Sequence, residues 1–164
     1  MKLLHGSNVD VIHPDLMECH DGNDFGKGFY LTDNPLRAVL MAKRKMLLRH
    51  KGGIFVSKFS FSLKDAEKSG LKILRFKNFT VEWARFILQN RCPDAAAHEY
   101  DIVIGPVADS TVDSIIEEYK AQYGASYLDD KNLTNLIDRI SQFGLEYIQY
   151  CFCTEKSLSQ LTRI

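Results

Sequence analysis

Two stretches of the chain carry residue types suited to holding a ligand. In the first, His5 closes a short apolar run and is followed by Gly6 and Ser7. A strand that ends in Gly-Ser offers a backbone amide and a hydroxyl side by side, although a histidine there also serves as an ordinary surface or capping residue. In the second, residues Asp24 to Thr32 read Asp-Phe-Gly-Lys-Gly-Phe-Tyr-Leu-Thr, with glycines one residue apart beside an aromatic pair. Gly26 and Gly28 allow a sharp turn or a close approach of backbone to a ligand, and Phe29, Tyr30 and Leu31 then begin a strand that shows one ring to each face. The same residues also read as a β-turn into a core strand, because Gly-x-Gly without the longer spacing is a weak nucleotide signature. Arg91 adds a guanidinium suited to a pyrophosphate or carboxylate, or to pairing with a surface acid. Asp101 and Asp109 read more simply as a strand-edge charge and a helix cap.

The elements that must position these residues follow from periodicity and punctuation. Lys2 to His5 is a first strand, which Val9 to Ile12 extends or restarts before His13-Pro14, and Met17 to Asn23 is loop. Asn34-Pro35 opens a helix that ends near Gly52-Gly53, with Leu36, Val39, Leu40 and Leu47 near one stripe. Ile54 to Phe61 is a strand, followed by a lysine-rich turn and a second strand over Leu71 to Phe76. Thr80 caps a helix over Val81 to Asn90 whose apolar face holds Trp83, Phe86 and Ile87, with Trp83 expected in the core. Tyr100 to Ile104 is a short buried strand. Helices are expected from Asp109-Ser110-Thr111 to Gln122 and over Asp130 to Phe143, then a strand over Glu146 to Phe152 and a short helix after Thr154. Strands and helices mix without strict alternation, so the class is α+β.

The chain has 164 residues, 45% of them hydrophobic, which suits one core and one domain, 1–164. Lys+Arg and Asp+Glu both number 21, so no net field steers the protein onto nucleic acid or an anionic membrane. From Asn34 to Lys58 every charged residue is basic, a run that reads as a solvated helix face or as a patch for a phosphate-bearing ligand or RNA. Cys19, Cys92, Cys151 and Cys153 contain no Cys-x-x-Cys pair, and Cys151 and Cys153 fall on one side of a single strand, a poor geometry for bonding each other. Free thiols in a reducing compartment are expected, and no metal site follows from Cys19 beside His20. The N-terminal residues turn polar too soon for a signal peptide, and no apolar run has membrane-spanning length, so a cytoplasmic protein is expected.

Taken together, His5-Gly6-Ser7 on a first strand, Phe25 to Thr32, and a polar residue on a late strand resemble the H-Y-E arrangement of diphtheria toxin and the poly(ADP-ribose) polymerases. The chain resembles most a bacterial family of unknown function in the ADP-ribosyltransferase-like group. That resemblance runs through Leu4 to Ser7, Ile12 to Leu16, Asp24 to Thr32, Trp83, Asn90-Arg91, Tyr100 to Asp109, Gln149, Phe152 and Thr154 to Lys156. It implies a split, strongly bent, antiparallel-rich sheet whose cleft holds NAD+ as substrate, with no metal. On that pattern Gly6 grips the nicotinamide carboxamide, His5 bonds a ribose hydroxyl, Ser7 adds a polar contact, and Tyr30 stacks on the nicotinamide beside Gly28 and Phe29. Arg91 is a further cofactor-binding candidate. A second aromatic commonly follows the motif tyrosine by eleven residues; here that position is Met41. Gln149 takes the catalytic third position, and Glu146 is the alternative in another register. Three apart on a strand, the two face opposite sides and cannot serve one site; Phe152 and Thr154 favour Gln149.

The resemblance further implies transfer of ADP-ribose to a macromolecular acceptor, a protein or less readily a nucleic acid, or to water. The setting it suggests is a toxin or defence effector restrained by a small inhibitory partner protein. The alternative is a non-enzymatic module that binds NAD+ or ADP-ribose, since Gln149 brings no charge and Met41 no ring.

Overall fold

In the computed structural model, residues 1–92, 96–108, 110–141 and 147–164 are described, without the side chains of Ser110 and Thr111. Among them lie seven strands and six α-helices. The strands are β1 (Lys2–Ser7), β2 (Phe29–Thr32), β3 (Phe55–Ser60), β4 (Ile73–Arg75), β5 (Ile102–Pro106), β6 (Ile148–Phe152) and β7 (Thr162–Arg163). They form one curled, half-barrel sheet in the order β4-β5-β6-β2-β1-β3-β7, antiparallel except for β4 and β5. The helices are α1 (Pro35–Arg49), α2 (Leu63–Lys68), α3 (Val81–Asn90), α4 (Ser110–Tyr123), α5 (Asp130–Ile140) and α6 (Glu155–Leu158). The class is α+β, as the sequence led one to expect. No described helix is long and apolar enough to cross a membrane.

Alternation along β5 and β6 divides the core between two faces. Val103 and Cys151 face a cluster built by α3, α4 and α5 around Trp83, Tyr119 and Leu136. Ile102, Ile104, Tyr150 and Phe152 face the other, around Leu3, Phe29, Phe59 and Leu158. Trp83 is fully buried, as expected, and its indole N–H donates to the Pro106 carbonyl. Caps set several starts: the side chains of Asn34, Ser62, Thr80 and Thr154 each accept from a backbone amide in the first turn of α1, α2, α3 and α6.

The sheet is continuous, but one seam is thin. β1 pairs with β3 over six residues and β2 with β6 over four, whereas β1 and β2 meet only at Leu4 and Thr32. Past that pair the two strands part, and His5 to Ser7 and Phe29 to Tyr30 border the opening.

Three expectations need correction. The apolar residues Leu36, Val39, Leu40 and Leu47 do not turn inward; all four are exposed, and α1 buries Ala38 and Ala42 instead. The cause is the close approach of α1 to β1, since a Cβ on Gly6 would stand 1.9 Å from the Ala38 carbonyl oxygen. Leucines do not fit a helix–strand contact that tight. Residues Val9 to Ile12 form no strand: β1 ends at Ser7, and the loop after it is held by Gly53 N–H on the Asn8 carbonyl and Val11 N–H on Ser57 Oγ. The lysine-rich turn after β3 is the short helix α2, whose Ala66 is buried.

Candidate functional site

A cavity of 980 Å³ opens over the β1–β2 seam. Its size lies at the upper end of the roughly 300–1,000 Å³ typical of ligand pockets. β1 contributes His5, Gly6 and Ser7; β2 and the residue before it contribute Gly28, Phe29 and Tyr30; α1 contributes Met41; and Arg91 and Gln149 reach in from the end of α3 and from β6. Every described residue nominated from the sequence as a site residue borders this one space. Glu146 and Asp109 lie outside the described residues. Asp101 stands apart from the cavity, where it accepts from Lys72 N–H at 2.8 Å and from the Thr154 hydroxyl at 2.7 Å. Those bonds tie the start of β4 to the turn after β6, which is a structural task.

His5 fills the seam. Its Nδ1 lies 2.7 Å from the Tyr30 carbonyl oxygen, which can only accept, so Nδ1 carries the proton and the side chain bridges the strands where their backbone pairing stops. The ring stacks on Phe29 at 4.2 Å between centroids. Nε2, left as an acceptor, takes a hydrogen bond from the Lys45 ammonium at 3.2 Å. Burial, with the Lys45 charge second, lowers the His5 pKa to about 3, against a weaker opposing effect of the Tyr30 bond. The ring is therefore neutral at ordinary pH. Burial also lowers the Lys45 pKa, and neighbouring Arg49 adds to it.

Tyr30 is held by its hydroxyl, which accepts from Phe25 N–H at 2.9 Å and donates to the Gly26 carbonyl at 2.8 Å. Burial raises the phenol pKa well above its usual value, so the group stays protonated. The ring thus has a fixed position, packed against the helix-side core, in a residue that borders the cavity. Gly28, which borders the cavity, also lies close against β6: a Cβ there would stand 2.4 Å from Cys151 Sγ.

Asp24 is the residue that reading the sequence as a site undervalued. Its Oδ1 accepts from Arg91 Nε at 2.9 Å and from an Arg91 terminal nitrogen at 2.5 Å, and its Oδ2 accepts from Gln149 Nε2 at 2.9 Å and from Ala108 N–H at 3.4 Å. Arg91 also donates to Asp113 at 2.6 Å. Burial alone would lower the Arg91 pKa, but the Asp24 and Asp113 carboxylates reverse that and hold it above its ordinary value. Two carboxylates against one guanidinium leave this corner formally negative. The only local hint was the position of Asp24 at the head of the glycine-aromatic stretch.

The opposite wall is basic. Arg37, Arg44, Lys45 and Arg49 of α1 border the cavity with Met41, spaced so that they share one helix face. Four residues of the basic run thus line the cleft, while Lys43, Lys51 and Lys58 do not border it.

The elements above describe an α+β protein whose candidate site lies where its curled sheet opens between two strands. The family model described as "Protein of unknown function (DUF3990)" matches residues 1–162, and the chain belongs to that family. No curated protein and no solved structure matches it.

Proposed function

We propose that the protein binds NAD+ in the 980 Å³ cavity and cleaves its nicotinamide–ribose bond, passing ADP-ribose to a macromolecular acceptor. One observation carries the reading. His5, Gly6, Ser7, Tyr30 and Gln149, separated by up to the whole span from β1 to β6, border a single cavity, and they are the residues that the H-Y-E resemblance nominates. Tyr30 is the ring on which the cationic nicotinamide stacks, an attraction of about 1 kcal/mol. The neutral His5 presents Nε2 as an acceptor, suited to a ribose hydroxyl that takes the place of the Lys45 ammonium. Arg37, Arg44 and Arg49 suit the pyrophosphate. Gln149 donates its amide N–H to Asp24, so its own oxygen serves as acceptor for the ribose 2′-hydroxyl. The negative charge that a glutamine cannot bring to an oxocarbenium-like sugar stands one hydrogen bond away, in the Asp24–Arg91–Asp113 corner. The acceptor is a protein or a nucleic acid, and a small inhibitory partner would act by covering the cleft.

A second reading, a module that binds NAD+ or ADP-ribose without cleaving it, is favoured by the Lys45 bond to His5 and by the paired state of Asp24. The test is nicotinamide release from NAD+ by purified protein, with Tyr30→Ala as control, alongside calorimetric titration with NAD+. Release by the wild type that Gln149→Ala abolishes and Glu146→Ala spares supports the enzyme in the proposed register. Binding lost in Tyr30→Ala, with no release with or without a cell extract as acceptor source, supports the module. Absence of binding sinks both.

A further inference from the structure

A second cavity, of 370 Å³, is bordered by Gly26, Asn90, Cys92, His98 and Cys153. It belongs to neither strand of the seam, and a sulfur pair lies at its edge. Cys151 is fully buried on β6, and Cys153, just past the end of that strand, is half-buried. Their sulfurs are 3.4 Å apart, although both thiols are free. The free thiols are as expected, and Cys153 N–H still donates to the Asp101 carbonyl at 2.8 Å, so the segment stays extended past Phe152; the two side chains nonetheless turn toward each other until their sulfurs touch. His98 Nε2 lies 2.9 Å from the Phe25 carbonyl oxygen and 4.0 Å from Cys153 Sγ, while its Nδ1 accepts from Tyr100 N–H at 3.2 Å. Those bonds place the ring proton on Nε2, facing the carbonyl and the sulfur together.

We propose that Cys151 and Cys153 are a peroxide-reactive dithiol that closes to a reversible disulfide, with Cys153 as the attacking sulfur and Cys151 as the resolving one. The division of labour follows from access, since Cys153 meets the cavity and Cys151 does not. It also agrees with acidity: the Cys151 and His98 hydrogen bonds lower the Cys153 pKa against burial, whereas burial raises that of Cys151. The charged or titratable neighbours acting on Cys153 are Cys151, His98, Asp101 and, more distantly, Cys19. In the first step the Cys153 thiolate attacks one oxygen of a hydroperoxide, the O–O bond breaks, and the alkoxide leaves and takes a proton from water. In the second, the Cys151 sulfur displaces hydroxide from the Cys153 sulfenic acid, and that hydroxide and the Cys151 proton form water. Two thiols and one hydroperoxide thus become one disulfide, one alcohol and one water.

Residues two apart on an extended strand have Cα atoms about 6.6 Å apart. That is near the upper limit, about 6.8 Å, for a disulfide, so the bond forms under strain and is readily reduced. Its position is directly behind Gly28, whose missing side chain makes room for the Cys151 sulfur.

The experiment is exposure of the intact protein to stoichiometric hydrogen peroxide, blocking of residual thiols with N-ethylmaleimide, and peptide mass mapping. The peptide holding both cysteines is expected to lose about 2 Da, reversibly with dithiothreitol. Cys153→Ser is expected to leave Cys151 reduced, and Cys151→Ser to give a sulfenic acid at position 153 that dimedone traps. Because Cys151 is packed in the core, a second measurement uses the native chain: Cys153 should be alkylated at pH 7 roughly tenfold faster than Cys19, whose pKa burial raises. His98→Gln should slow that alkylation. Oxidation that begins at Cys19 or Cys92, a Cys19–Cys153 bond, or alkylation of Cys153 no faster than of Cys19 overturns the proposal.

Discussion

Acid should weaken this fold through His5, and the size of the effect can be worked out. The ring is 7% exposed, donates from Nδ1 to Tyr30 and accepts from Lys45 on Nε2, and its pKa falls from 6.5 to about 3. A folded-state pKa below the unfolded one means that the unfolded chain takes up a proton that the folded chain refuses. The stability from the neutral ring is therefore fully present above pH 6.5 and is lost progressively as pH falls toward 3. Well inside that window each pH unit costs about 1.4 kcal/mol, and since the unfolded ring is already half protonated at pH 6.5, lowering the pH from 6.5 to 4.5 should remove about 2.3 kcal/mol. His98 works the other way, because its pKa is raised, chiefly by the Cys153 hydrogen bond, and it contributes stability below pH 6.5. His5 is isolated by difference. In urea unfolding at pH 4.5, 5.5, 6.5 and 7.5, the gap between wild type and His5→Gln, which retains a donor for the Tyr30 carbonyl, should narrow by about 2.3 kcal/mol from pH 6.5 to 4.5. Parallel stability curves across that window would refute the argument, since they would mean that the ring is protonated as easily in the folded protein as in the unfolded one.

Lys45→Met removes the second cause of the low His5 pKa, so the same acid window should become shallower in that variant, as urea unfolding at the same four pH values will show. Gly6→Ala places a Cβ against the Ala38 carbonyl; a loss of about 2–3 kcal/mol and a melting temperature lower by about 6–10 °C are expected by calorimetry, and an unchanged melting temperature would show that α1 has room to shift. Asp24→Asn leaves Arg91 with Asp113 alone and Gln149 with a weaker acceptor. Breaking a mostly buried pair of this kind costs about 3 kcal/mol, measurable by urea unfolding, and a change below about 0.5 kcal/mol would mean that the corner is wet and loosely held.

What could be read from the chain, and what could not, divides along sequence distance. β2, β3 and α3 stood out because alternation, a run of β-branched and aromatic residues, and a threonine cap are local signals. The site residues His5, Gly6 and Tyr30 could be named because they sit in short stretches of unusual composition. Asp24 could not, since its partners lie 67 and 125 residues away at Arg91 and Gln149, and nothing near it marks a buried carboxylate. The contact between Cys151 and Cys153 depends on how the two side chains are turned, and that is set by the Phe25 carbonyl and His98 packed against them rather than by the strand itself. His98 was missed for the same reason: its importance comes from Phe25 and Cys153, which tertiary packing brings to it.

The misreading of α1 shows how one contact can invert a helix. Leu36, Val39, Leu40 and Leu47 have the spacing of a core stripe, and the basic residues between them have the look of a solvent face. Gly6 reverses both assignments. With no side chain on β1 at that point, the backbone of α1 settles against the strand through Ala38 and Ala42. That rotation sends Arg37, Met41, Arg44 and Lys45 over the open seam and leaves the leucines in water. The glycine that the functional reading assigns to gripping a ligand therefore has a structural duty of its own: it turns the cationic face of α1 toward the cavity and brings Lys45 onto His5. Gly6→Ala should consequently disturb the cavity's charge lining as well as the packing, so loss of ligand binding in that variant is no proof of a direct contact. Tyr30→Ala, which leaves the α1–β1 contact intact, is the cleaner probe of the cleft.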